Sequence, residues 1–153
     1  MKLDYSTAAE ALAAFYHIDS GVLSALINAE SAWNPNAVSK TGATGLGQWT
    51  KRTGKDYGIY SDNPPFDNRR DPCLNLTATA AYLHDLYTQN GSYRLAIGHY
   101  SGQGPDLANY ARYGAGRALI AAIAQADTVQ QSKIQAQACT GAQAQAVALF
   151  RPS

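Results

Sequence analysis

Charged side chains are scarce in this chain: they make up 15% of its 153 residues, against about 25% in typical soluble domains. The twelve Lys and Arg are dispersed and the formal net charge is +1, which argues against a nucleic-acid-binding protein. No uninterrupted apolar stretch reaches the ~18 residues that a membrane span needs. The length is that of one domain with a substantial core, and the low charge suits an uncharged, sugar-like ligand.

Cysteine and histidine are also rare. The three histidines, His17, His84 and His99, are scattered and have no metal-ligand spacing with Cys73 or Cys139, so we expect neither a metal site nor a cofactor. In an extracytoplasmic protein the two cysteines could form a disulfide that ties the C-terminal tail to the core. Their separation in sequence does not give the distance between their Cα atoms, so this pairing stays open.

The most informative residue is an acid on an apolar helix face. Glu30 follows Leu23, Leu26 and Ile27 by seven, four and three residues, spacings that place all four side chains on one stripe. Burial disfavours the charged carboxylate, and the helix ends just after it, at residues 33–35, where the macrodipole is negative. Both effects raise the pKa of the Glu30 carboxyl group, which is what a general acid working near neutral pH requires. The alternative is a carboxylate at the edge of the stripe that turns back to water.

A glycine-rich segment follows this helix. Gly42, Gly45 and Gly47 lie within six residues, and glycines allow positive φ angles and a close approach between backbones. We expect this segment to carry Gln48 and Trp49 back toward the end of the Glu30 helix.

Three segments together resemble the signature segments of the soluble lytic transglycosylases. They are Glu30-Ser31, the run AVSKTGATGLGQW and the run AIGHYSGQG, which contains Tyr100. That family comprises lysozyme-like enzymes, related to goose-type lysozyme, that cleave the glycan strands of bacterial peptidoglycan. The resemblance covers roughly residues 5 to 114. Two positions depart from it, because Gly47 stands where many members carry Met and Ser101 replaces the usual Asn.

The resemblance implies a role for each matching residue. Glu30 falls on the catalytic acid, which protonates the bridging oxygen and then takes the proton of the sugar's own C6 hydroxyl as that hydroxyl attacks the anomeric carbon. The product is a 1,6-anhydro muramyl end. Tyr100 would hold Glu30 by a hydrogen bond. The other expected substrate-binding or supporting residues are Ser31, Gln48, Ser101, Gly45 and Leu46, and Trp33 and Trp49 are candidates for sugar stacking or for core packing.

Two other functions stay open. A hydrolase of the goose-lysozyme kind, such as an endolysin, would need a second carboxylate to activate water, and Asp56, Asp62, Asp67 and Asp71 are candidates. An inactive glycan-binding or structural wall module is the third hypothesis. Retention of Glu30 argues against it.

The coarse secondary structure is helical. We predict a mainly α, lysozyme-like domain with little or no sheet, built around a central buried helix that starts at Asp71-Pro72 and is closed by Gly91. Further helices are predicted over residues 7–16, 50–57 and 92–100, and either Asp19 or Ser20 should cap the Glu30 helix.

The domain prediction divides the chain at Gly114. Residues 1–114 would form the catalytic domain, and residues 115–153 an Ala/Gln-rich helical extension that packs on the same domain or projects from it. Within this extension, residues 115–126 show the spacing of a packed helix. Residues 130–148 alternate Gln and Ala and are expected to form a marginal helix or to be partly disordered.

The expected place of action is the periplasm or the cell wall, with bacterial peptidoglycan strands as the partner of a monomer. Asp4 and Glu10 interrupt any apolar core of signal-peptide length near Met1. We therefore expect either a phage enzyme, delivered with the virion or released through a pore, or a signal that was removed and replaced by Met1.

Overall fold

The computed structural model describes residues 4–149, with the backbone alone for residues 142–144 and 146–148. Residues 1–3 of the predicted catalytic domain and residues 150–153 of the predicted C-terminal extension lie outside the described residues. The chain is mainly helical, as predicted. Its helices are α1 (Tyr5–Phe15), α2 (Ser20–Ser31), α3 (Lys51–Asp56), α4 (Pro72–Asn90), α5 (Tyr93–Ser101), a single 3₁₀ turn (Tyr110–Arg112) and α6 (Gly114–Leu149). One antiparallel pair of short strands, β1 (Tyr60–Asp62) and β2 (Pro65–Asp67), lies between α3 and α4, with Tyr60 opposite Asp67.

The helix ends follow the capping residues that the sequence indicates. The Asp19 carboxylate accepts a hydrogen bond from the backbone N–H of Val22, so Asp19 rather than Ser20 caps α2. Asp71 caps α4 in the same way, with Pro72 in the first turn, and Gly91 ends the helix with a φ of 80°. These caps satisfy backbone groups that have no partner within a helix.

Helix α4 crosses the core, as expected for the central scaffold. Its buried face includes Leu76, Ala80 and Leu83, whereas Tyr87 is only partly buried. The same core contains the apolar faces of α1, α2, α5 and the first half of α6, with side chains that include Leu23, Leu26, Ile27, Ile97, Leu119 and Ile123. The end of α2, which carries Glu30, is thereby fixed against the rest of the fold.

The C-terminal segment is one continuous helix. The packed helix predicted over residues 115–126 is present, and α6 continues through the Gln/Ala tract to Leu149, because Ala and Gln both favour helix. The first half of α6 shares the core of the preceding elements, and beyond Ala126 it is largely exposed. The domain boundary at residue 114 stays a prediction. Neither α6 nor any other helix in residues 4–149 is both long and apolar enough to cross a bilayer.

The candidate disulfide is not formed in this structure. Cys73, in the first turn of α4, and Cys139, in the outer part of α6, are both exposed free thiols.

Candidate active site

A cavity of about 340 Å³ opens beside the C-terminal end of α2. Three parts of the chain line it: the end of α2, the glycine-rich segment, and the stretch from the end of α5 to the 3₁₀ turn. The lining includes the side chains of Glu30, Gln48, Tyr100, Ser101, Gln103 and Tyr110. The fold thus brings together the three segments in which the sequence placed the site.

Glu30 is the acid of this cavity. Its side chain is partly buried, and burial raises the pKa of its carboxyl group above the ordinary value, while a hydrogen bond from the Tyr110 hydroxyl opposes that rise. Burial therefore shifts the equilibrium of this carboxyl group toward its protonated form. The carboxylate form has a donor already in place.

The hydroxyl that contacts Glu30 comes from Tyr110, not from Tyr100 as the resemblance implied. Tyr100 lines the same cavity, but its hydroxyl donates to the backbone carbonyl of Gly47. Burial and the nearby charge of Glu30 raise the pKa of Tyr100 well above its usual value, so this hydroxyl stays a neutral donor. Sequence reasoning missed Tyr110, since no spacing links it to a residue 80 positions away.

Helix α4 holds the glycine-rich segment through a buried amide. The Asn75 side chain accepts the Gly47 N–H at 2.8 Å, and donates to the carbonyl oxygens of Arg69 at 2.7 Å and Thr44 at 3.3 Å. One turn later, Thr79 accepts the indole N–H of Trp49 at 2.8 Å. Nothing in the sequence pointed to this polar strip, because its residues lie within an otherwise apolar helix face.

Gly45 and Leu46 support the site through packing. Gly45 has a φ of +85°, and a Cβ there would lie 2.1 Å from the Arg69 carbonyl oxygen, so only glycine fits. Leu46 is fully buried in the core. Its side chain has no access to a ligand.

Gln48 and Ser101 line the cavity, but parts of both side chains are already bonded to the protein. The Gln48 amide nitrogen donates to the carbonyl oxygens of Ala37 and Gly45, at 3.1 and 3.0 Å. The Ser101 hydroxyl donates to the Ile97 carbonyl at 2.9 Å, one turn back in α5.

The structure does not bring Ser31, Trp33 and Trp49 to the cavity lining. Trp49 is 2% exposed and packs between Tyr57 and Tyr82, so of its two expected roles the structure shows core packing and not sugar stacking. Ser31 is 9% exposed, and its hydroxyl donates a hydrogen bond to the Ile27 carbonyl of its own helix at 3.1 Å. Trp33 is partly buried against the core, which leaves packing as its observed role.

The four aspartates considered for a hydrolase lie outside this cavity lining. Asp67 pairs with Arg69 at 2.9 Å and Asp62 pairs with Lys55. Asp71 caps α4, and Asp56 ends α3. Among the described residues that line the cavity, Glu30 is the one carboxylate, and residues 4–149 contain no cluster of His, Cys, Asp or Glu suited to a metal ion.

Residues 7–122 match the family described as "Transglycosylase SLT domain". The chain belongs to this family. The resemblance inferred from the three sequence segments is therefore confirmed, as is the lysozyme-like helical fold.

Relatives and a solved structure agree with this family. The chain is 38% identical over 72 residues to "Membrane-bound lytic murein transglycosylase F" of Ectopseudomonas mendocina, covering 47% of this chain and 13% of the relative. It is 34% identical over 89 residues to "Peptidoglycan transglycosylase gp16" of Escherichia phage T7, covering 54% of this chain and 7% of the relative. The crystal structure of an inactive mutant of lytic transglycosylase Slt from Pseudomonas aeruginosa matches with a TM-score of 0.51 at 27% identity, over 75% of this chain and 20% of that one. The matches thus span only a small part of each relative's length.

Proposed function

We propose that this SLT domain is a lytic transglycosylase acting on the glycan strands of bacterial peptidoglycan. It would cleave the β-1,4 bond between N-acetylmuramic acid and N-acetylglucosamine and leave a 1,6-anhydro muramyl end. The observation that carries this proposal is a single carboxyl group, Glu30, held in a cavity with a raised pKa and a fixed hydrogen-bond donor. The relatives' names, which describe murein and peptidoglycan transglycosylases, support the substrate class.

In the first step, protonated Glu30 donates its proton to the bridging glycosidic oxygen while the bond from the anomeric carbon to that oxygen breaks. The departing sugar leaves with a new hydroxyl, and positive charge develops on the remaining ring. The raised pKa favours the protonated form that this step requires.

In the second step, the Glu30 carboxylate acts as a base. It takes the proton of the C6 hydroxyl as that oxygen bonds to the anomeric carbon, which closes the anhydro ring and restores the acid without consuming water. The Tyr110 hydroxyl stabilises the carboxylate between the two steps. One residue can therefore serve both steps, because burial favours its acid form and Tyr110 supports its charged form.

The hydrolase alternative has less support from the geometry. Glycosidases that use two carboxylates place them on either side of the scissile bond, ~5–9.5 Å apart. The cavity lining, as far as the described residues show it, supplies Glu30 alone. A hydrolase would have to activate water with a different kind of group.

The proposed place of action is the bacterial cell wall, reached from the periplasm or by phage delivery. The similarity to a peptidoglycan transglycosylase of phage T7 supports the phage route.

Mass spectrometry of the products from purified peptidoglycan tests the proposal. The native chain should give anhydro-muramyl ends, and Glu30→Gln should lower the rate by about 100-fold or more, as expected for loss of a general acid. Glu10→Gln is the matched control, since Glu10 is exposed on α1 and should leave the rate unchanged. Reducing ends that contain added water would replace the transglycosylase with a hydrolase. Binding without any product would indicate a glycan-binding module.

A further inference from the structure

The Ser101 hydroxyl lines the cavity but does not offer a hydrogen-bond donor to a ligand there. Its hydroxyl carries one proton, and that proton is directed to the Ile97 carbonyl at 2.9 Å. The Ser101 oxygen can therefore accept a hydrogen bond from a substrate, but it has no proton to donate. Two residues further along, the side chain of Gln103 lines the same cavity.

The chemistry of its neighbour fixes the orientation of the Gln103 amide. The backbone N–H of Asn109 lies 2.7 Å from Oε1 of Gln103. A backbone N–H can only donate, so the carbonyl side of the amide must face Asn109 and the NH₂ group must face away. No described residue accepts a hydrogen bond from that NH₂ group. Among the described residues, every side-chain nitrogen or oxygen that is buried has a hydrogen-bond partner, so an NH₂ group without one cannot be buried. Nε2 of Gln103 is therefore open to solvent.

The loop that carries Gln103 is fastened at both ends. Gly104 donates its N–H to the Gly98 carbonyl at 3.2 Å, and a Cβ on Gly98 would lie 2.8 Å from the Gly104 backbone, so the loop lies directly on α5. Further along, the fully buried Leu107 anchors the loop in the core. Such a loop presents a side chain with little conformational entropy left to lose on binding.

We propose that Gln103 is the amide donor of the glycan site, with its Nε2 hydrogen-bonded to the acetamido carbonyl oxygen of an N-acetylhexosamine. This inference rests on the proposed function for the identity of the substrate. The acetamido group fits because the cavity lining contains no Lys or Arg among the described residues, so an anionic group would meet Glu30 without a cationic partner. A neutral carbonyl oxygen matches a neutral NH₂ donor.

Substitution of the donor, combined with removal of the acetyl group, tests this contact. Binding is measured by calorimetry with the Glu30→Gln chain, using glycan strands freed of peptide, either native or chemically de-N-acetylated. Adding Gln103→Met, which keeps the length but not the donor, should weaken binding of native strands by about tenfold, the equivalent of one hydrogen bond. De-N-acetylated strands should bind equally to the proteins with and without Gln103→Met. A difference that persists on those strands, or no difference on native ones, overturns the proposal.

Gln103→Glu separates donation to the sugar from fastening of the loop. Glu keeps an oxygen for the Asn109 N–H but has no NH₂ group, so native strands should bind it as weakly as they bind Gln103→Met. Recovery of binding in Gln103→Glu would show that only the loop contact matters. Gln89→Glu, at an exposed position near the end of α4, controls for the added charge and should bind as the parent does.

Kinetics with active Glu30 separate this inference from the proposed function. Gln103→Met should raise KM about tenfold with kcat little changed, as expected for a contact made equally in the ground and transition states. Anhydro products with an unchanged KM would refute the role of Gln103 alone. No products from the native chain, with the binding pattern intact, would refute the transglycosylase and leave the Gln103 contact standing.

Discussion

The glycine-rich segment should depend on the amide of Asn75 more than on any other polar group. Asn75→Leu keeps a similar volume within α4 but removes the short hydrogen bonds to the Gly47 N–H and the Arg69 carbonyl. Asn75 is 0% exposed, so these groups would be left without water. An unsatisfied buried group costs about 1–3 kcal/mol. With two such groups, we therefore expect a loss of about 4 kcal/mol in the free energy of unfolding.

Urea denaturation monitored by tryptophan fluorescence measures this loss, with thermal unfolding as a second probe. For a domain of this size, about 4 kcal/mol corresponds to a fall in Tm of about 10 °C. Asn28→Leu is the matched control, because Asn28 is exposed on α2 and its replacement should change stability by less than about 0.5 kcal/mol. Below its lower Tm, Asn75→Leu should also lose activity, since Gly47 precedes the cavity residue Gln48.

A loss of less than about 1 kcal/mol would refute this reasoning. It would mean that solvent reaches Gly47 and Arg69 once the amide is gone, and that packing alone holds the glycine-rich segment against α4. Unchanged activity in a clearly destabilised Asn75→Leu would refute only the claim that Asn75 holds the glycine-rich segment in the position that activity requires.

Two further predictions concern the charge of Glu30. Tyr110→Phe removes the contact that lowers the Glu30 pKa, so the pKa should rise further. The alkaline limb of the kcat–pH profile should move to higher pH, with kcat reduced at the optimum; an unmoved limb would contradict the role of Tyr110. Burial raises the Glu30 pKa in the folded state above its ordinary value of 4.5, so the unfolded chain ionises first and the native protein loses stability as pH rises above that value. Glu30→Gln should therefore have the higher Tm at pH 7, with the advantage fading toward pH 4, and Glu10→Gln should show no such trend.

Local signals in the sequence were sufficient to predict most of the fold. The start of α2 and both ends of α4 follow from Asp19, Asp71 and Gly91, each of which lies beside the helix end that it marks. The position of Glu30 on an apolar stripe follows from helical periodicity, and the structure shows the expected burial and direction of its pKa. The Gln/Ala tract was harder to predict, because a biased composition suggested weak structure whereas its Ala and Gln residues favour helix.

The contacts that the sequence did not predict join distant parts of the chain. Ten tyrosines offered no basis for choosing Tyr110, which reaches Glu30 only because α6 and the 3₁₀ turn pack beside α2. Trp49 was a reasonable candidate for sugar stacking, since it directly follows the glycine-rich segment. Its burial depends on Thr79, which supplies the acceptor that an indole N–H needs in a core.

The glycine at position 47 shows why a departure from the family pattern need not be a defect. A Cβ there would lie 2.2 Å from the Thr79 hydroxyl oxygen and 2.8 Å from the Tyr100 hydroxyl oxygen. The side chains around Gly47 therefore occupy the space that a side chain at this position would need. Restoring a side chain at this position should damage the site.

Gly47→Ala should cost about 1–3 kcal/mol in the free energy of unfolding by overpacking. The backbone of Gly47 is not left-handed, so the cost is steric, and Thr79→Ala should relieve part of it by removing the nearest atom. Gly141→Ala is the contrasting control: a Cβ at Gly141 has open space around it within α6, and the change should be neutral or stabilise by up to about 1 kcal/mol. Urea denaturation of the single and double variants measures these changes in the free energy of unfolding. If Gly47→Ala cost as much with Ala at position 79 as with Thr, the crowding would not come from Thr79, and the packing explanation for the missing side chain would fail.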